Sequence, residues 1–117
     1  MDRDLSALAN DLQAAARVDP NGEVSWPDVT AAAAIRGLAE GGAIVLGLDL
    51  RYYDASDTFY EIAWSSFEPD ASKPADANAA DAREAALERL AKIDEQELPD
   101  DTVERRVLIT WENRQAS

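Results

Sequence analysis

The chain reads as an α+β domain with the element order α-α-β-β-α-β: two N-terminal helices, then a β-hairpin, a crossover helix and a third strand, forming a three-stranded mixed sheet packed on helices. Three observations predict it. Residues 43–67, AIVLGLDLRYYDASDTFYEIAWSSF, hold six of the eight aromatic residues and the longest dense run of strand formers, split by Asp54-Ala55-Ser56-Asp57. On both sides of this stretch apolar residues recur at the three- and four-residue spacing of a helix face. Residues 102–112 return to strict alternation, with Val103, Arg105, Val107, Ile109 and Trp111 set against Glu104, Arg106, Leu108, Thr110 and Glu112.

The first helix is expected over residues 4–18, with Leu5, Leu8, Leu12, Ala15 and Ala16 on one face, stopped by Asp19-Pro20-Asn21-Gly22. Trp26-Pro27-Asp28 then opens a second helix. Proline at the first helical position loses no hydrogen bond, and an aspartate there meets the positive end of the helix dipole. Its buried face would be Val29, Ala32, Ala33, Ile35 and Leu38, and Gly41-Gly42 would close it.

A four-residue loop over 54–57 pairs Tyr53 with Thr58, Tyr52 with Phe59, Arg51 with Tyr60, Asp49 with Ile62 and Gly47 with Trp64. One sheet face then carries Ile44, Leu46, Leu48, Leu50, Tyr52, Phe59 and Ala63, apolar enough to be core although Glu61 falls on it. The other carries Val45, Asp49, Arg51, Tyr53, Tyr60, Ile62 and Trp64. A slip of one residue exchanges the faces.

Residues 68–80, EPDASKPADANAA, lack large apolar side chains and read as a flexible surface connection. A third helix is expected from about residue 76 or 79 to 93, burying Ala82, Ala86, Leu87, Leu90 and Ile93, followed by the acidic turn DEQELPDD. Hairpin, helix and returning strand suggest a split β-α-β unit with the first hairpin strand in the centre.

At 117 residues the chain is expected to be one domain, since smaller pieces would bury too little core. It contains no cysteine and no histidine. Disulfides, thiolate metal sites and thiol nucleophiles are thereby excluded, as are the commonest general base and transition-metal ligand. No segment has the composition of a signal peptide, and the apolar run at 43–46 is too short to span a bilayer, so a cytoplasmic location is expected. With 24 acidic against 11 basic residues the net charge is -13. Direct binding to nucleic acid or anionic membranes, which needs cationic groups, is disfavoured, and a basic protein partner is favoured. The chain itself is expected to be a monomer or homodimer.

Asp54, Asp57 and Glu61 lack the ligand spacing of a calcium loop, and no glycine pattern fits a nucleotide phosphate. No metal, cofactor or enzymatic activity is expected. The candidate partner-binding residues are Asp49, Arg51, Tyr53, Asp54, Asp57, Tyr60, Glu61 and Trp64, a set of aromatic, arginine and carboxylate side chains of the kind that forms interface hot spots. Should the first helix cover that face instead, Trp64 becomes core; Trp26 and Trp111 are read as core or edge packing. A second acidic surface is residues 68–104, with twelve acids and a local balance of -8.

No family motif can be carried over residue by residue. As a class, a small, acidic, cysteine-free domain without catalytic apparatus resembles a bacterial immunity protein, the antitoxin that neutralises a cognate toxin. The resemblance implies inhibition of a basic toxin by occlusion. Competing expectations are a DNA-mimic or adaptor protein engaging a nucleic-acid-binding protein, and a structural homo-oligomeric subunit joined through a sheet face or open edge.

Overall fold

Residues read from periodicity as helical or as helix-opening contribute strands in the N-terminal third. The computed structural model describes residues 5 and 8–113. Among the described residues Asn10–Ala15 forms the first helix, α1, and Ala16 turns to an extended conformation; positions 4, 6 and 7 of the expected helix lie outside the described residues. Arg17–Val18 (β1) and Val24–Pro27 (β2) then form an antiparallel hairpin. The Asp19-Pro20-Asn21-Gly22 segment is the turn of that hairpin: Asp19 N–H donates to the Glu23 carbonyl at 2.8 Å, and Gly22 sits at φ +88°, which glycine adopts without strain. Pro27 therefore ends a strand, and the second helix, α2, starts later, at Ala31–Glu40.

Among the described residues the sheet consequently has five strands, not three, in the order β1-β2-β5-β3-β4, where β3 is Ile44–Tyr53, β4 is Phe59–Ser66 and β5 is Glu104–Glu112. Every pairing is antiparallel, which overturns the expected three-stranded mixed sheet; β4 and β5 run parallel only across β3 between them. The expected order fails for the same reason, because two strands intervene between α1 and α2. The third helix, α3, is Ala75–Leu90, so residues 75–80 of the expected connection are its first turns. Asn78 ties the remaining loop down: its side chain donates to the Asp70 carbonyl at 2.9 Å and accepts from Asp70 N–H at 2.8 Å.

The three α-helices among the described residues pack on one face of the sheet, where the core lies. Trp26 and Trp111 meet there with ring centroids 6.1 Å apart, among Val24, Val45, Leu48, Leu50, Val107 and Ile109. The Trp26 indole donates to the Leu12 carbonyl at 2.9 Å, which anchors α1 to the sheet. The later start of α2 turns Ala31, Ala34, Ile35 and Leu38 inward and leaves Val29 89 % exposed. Gly37 lets α1 come close, since a Cβ there would lie 2.8 Å from Leu8 Cδ2. Arg105 of β5 joins the entry of α2 to the 3-10 turn Ile93–Glu95, pairing with Asp28 at 2.8 Å and Asp94 at 3.0 Å. Among the described residues no helix is long and apolar enough to cross a membrane.

The β3–β4 register is one residue away from the expected one. Tyr53 pairs with Phe59, Tyr52 with Tyr60, Arg51 with Glu61 and Leu50 with Ile62. The loop has five residues: the Asp54 carboxylate accepts from Ser56 N–H and Thr58 N–H, and Asp57 takes φ +61°. This shift moves Phe59, Glu61 and Ala63 off the core face to the opposite one, where Glu61 stands beside Arg51. The same shift puts Trp64, two residues after the Leu50 partner Ile62, on the helix side with the core, and a bulge between Leu48 and Asp49 leaves it as the extra residue on β4.

Candidate functional site

The sheet face opposite the helices carries a polar layer instead of a second apolar one. Cross-strand pairing puts Arg17 beside Ser25, Ser25 beside Leu108, Leu108 beside Asp49, and Arg51 between Arg106 and Glu61. Residues paired directly across strands share a face, so these side chains form one surface. Asp19 and Glu23, in and beside the β1–β2 turn, reach Arg51 from the far side of β5, Asp19 across β2 as well.

Arg51 is the hub. Its guanidinium donates from Nε to Glu61, from Nη1 to Asp19, and from Nη2 to Glu23 at 3.1 Å, and the side chain is only 2 % exposed. Burial alone would weaken its hold on a proton, but the hydrogen bonds to Asp19 and Glu61 outweigh that and raise its pKa above the ordinary arginine value. Three carboxylates around one planar fork fix the rotamers of all four side chains.

A ladder of cations and rings extends from this hub. The Arg51 guanidinium lies 4.5 Å from the Phe59 ring centre, Phe59 lies 5.3 Å from Tyr53, and Arg17 lies 5.0 Å above Tyr53. Arg17 also donates to both Asp57 oxygens, at 3.2 and 3.0 Å, and thereby ties the β1–β2 hairpin to the β3–β4 loop. That hydrogen bond holds the Asp57 carboxyl below its usual range. On the β2 side, Arg106 donates to Ser25 Oγ at 3.0 Å, to the Ser25 carbonyl at 2.9 Å, to the Ala15 carbonyl at 3.0 Å and to Glu104 at 3.0 Å.

Asp49 is left over. It stands two residues from Arg51 on the same face, partly buried, and accepts no hydrogen bond among the described residues. Burial pushes its pKa up, the nearby Glu61 and Glu23 carboxylates push it further, and Arg51 only partly opposes them. Asp19, Glu23, Asp49, Asp57, Glu61 and Glu104 thus face Arg17, Arg51 and Arg106, leaving the surface short of positive charge at Asp49. This arrangement can recognise a cation: a lysine or arginine placed among Asp49, Glu61 and Glu23 would complete the pattern that Arg51 begins.

The candidate residues named from sequence are brought together only in part. Asp49, Arg51, Tyr53 and Glu61 share the helix-free face, with Asp57 at its end, but Arg51 and Tyr53 are buried within it. Asp54 caps the hairpin loop. Tyr60, 61 % exposed, points to the opposite side of β4. Trp64 is 8 % exposed and lies in the core with Arg89 of α3 4.5 Å above its ring. Arg17, Asp19, Glu23 and Arg106 were not recognised, although Asn21-Gly22 between Arg17-Val18 and Val24-Ser25-Trp26 is a hairpin signal.

Comparison with protein-family models, with curated proteins and with solved structures gives no match.

Proposed function

We propose that the protein is an acidic protein-binding module whose helix-free sheet face receives a cationic side chain of a basic partner. The observation that carries this reading is the uncompensated Asp49, held beside Glu23 and Glu61 in a surface where neighbouring carboxylates are paired with arginine. An arginine or lysine entering there would offset the burial and the carboxylate repulsion that together raise the Asp49 pKa, and that offset is differential binding energy. The net charge of -13 supplies long-range attraction to the same kind of partner.

The narrower reading is an inhibitor of the immunity-protein class that occludes a basic toxin. It rests on size, charge and the absence of cysteine and histidine. Apolar contact would come from the exposed Phe59 and Tyr60, not from Trp64.

An NMR titration of the labelled protein with hexalysine, at near-physiological salt, tests the broader reading. Shifts concentrated at Asp49, Glu61, Ala63 and Thr110 support it. Shifts spread evenly over the acidic residues of α3 and the 94–101 turn overturn it. For the narrower reading, co-expression must cancel the toxicity of a basic partner in cells.

A further inference from the structure

Strand β4 is a sheet edge with no strand on its outer side among the described residues, and at eight residues it is far longer than the opposite edge, the two-residue β1. Asp54 N–H donates to the Thr58 carbonyl, and hydrogen-bonded pairs alternate from there, so Tyr60 and Ile62 turn their backbone groups toward β3. Phe59, Glu61 and Ala63 therefore turn their N–H and C=O groups outward. Edges that proteins protect carry lysine, proline or a covering segment. This one instead presents Phe59, 47 % exposed, on one side and Tyr60 on the other, with Glu61 as the single charge between them.

We propose that β4 accepts an extended, cationic strand of the partner by edge-to-edge addition, an inference that rests on the basic-partner reading and specifies its mode. Charge selects the occupant. Symmetric pairing with a second copy, centred on the middle outward-facing residue, would set Glu61 against Glu61 and bring together two chains of net charge -13. A strand alternating cationic and apolar residues matches both sides instead. Its cations face Glu61, Asp57 and the Asp49 cluster, and its apolar residues lie beside Tyr60 and Ile62. Main-chain hydrogen bonds to Phe59, Glu61 and Ala63 would fix the register.

The test uses a terminally blocked nine-residue peptide of alternating lysine and valine, a version N-methylated on the residues that would pair, and an Ala63→Pro variant. Proline at 63 removes an outward N–H and leaves the β3 ladder intact. The expected result at near-physiological salt is slowed amide exchange at Phe59, Glu61 and Ala63, with affinity lowered about tenfold or more by N-methylation or by Ala63→Pro. The N-methylated peptide keeps the test valid if the proline variant folds poorly. Equal binding of the two peptides, or no binding, overturns strand addition; the basic-partner reading is judged separately by hexalysine, which has no strand pattern.

Discussion

Asp49 and Arg51 lie two residues apart on the same face of β3, yet Arg51 is held by three carboxylates while Asp49 accepts no hydrogen bond among the described residues and faces two further carboxylates. Most charged groups of this face are paired internally, whereas Asp49 is not, and the buried Tyr53 hydroxyl on the same face also has no hydrogen-bond partner among the described residues. That asymmetry, more than the overall acidity, supports the proposed role of Asp49 in receiving a cationic side chain.

Asp49→Asn is expected to stabilise the free protein at neutral pH. The folded pKa of Asp49 is raised, so the folded state binds more protons than the unfolded one between the ordinary value of 3.8 and the raised value. The destabilisation caused by ionised Asp49 is therefore absent below that window and fully present above it. Urea midpoints should show the variant ahead at pH 7 and level with the wild type at acid pH. A variant that is less stable at pH 7 would mean that Asp49 makes a favourable contact.

Arg51→Met should cost about 3 kcal/mol, the lower end for a broken buried ion pair, because Asp19, Glu23 and Glu61 are partly exposed and can rehydrate. Urea unfolding at moderate salt measures it. A loss below about 1 kcal/mol would show that the hub contributes no more than surface pairs do.

Trp64→Ala is expected to destabilise the fold by about 3 kcal/mol through the cavity it leaves under α3. Tyr60→Ala, at an exposed site, should stay within about 0.5 kcal/mol. Thermal unfolding of both separates core from surface on the same strand, and the reverse order would contradict the packing described.

Asn78→Ala removes both hydrogen bonds to the Asp70 backbone and should cost about 2 kcal/mol. Amide exchange at Asp70 should accelerate before that of α3. Unchanged exchange there would show that the loop is held by other contacts.

Much of the C-terminal two thirds was legible because its patterns are long. The alternation in β5 and the helical spacing of Ala82, Ala86 and Leu90 each persist over several turns or pairs. The N-terminal third was not legible. Leu5, Leu8 and Leu12 do keep a helical spacing, but α1 itself is only six residues, and the two-residue β1 is too short for alternation to show. Pro27 fits a helix start as well as a strand end, and the partner that decides, Arg106, lies 79 positions later. The site suffered from a single residue of loop length. Counting Thr58 into the strand rather than the loop put Arg51 opposite Tyr60 instead of Glu61, and so hid the pair from which the charged network is built. Asp49 is among the residues named from sequence, but its isolation depends on Glu23, which joins the cluster from the unforeseen β1–β2 hairpin.

The most direct test of the central claim is a quantitative pull-down from the native cells and their secreted fraction, at low and at near-physiological salt. Three baits are compared: wild type, Asp49→Lys, and Glu88→Lys on the exposed side of α3, the two variants changing net charge equally. A lysine at 49 is compatible with the fold because Glu23 and Glu61 would receive it. One basic protein, recovered in stoichiometric amount at both salts by wild type and Glu88→Lys but reduced about tenfold or more by Asp49→Lys, is the predicted result. Many basic proteins recovered only at low salt, or equal recovery by all three baits, would contradict it.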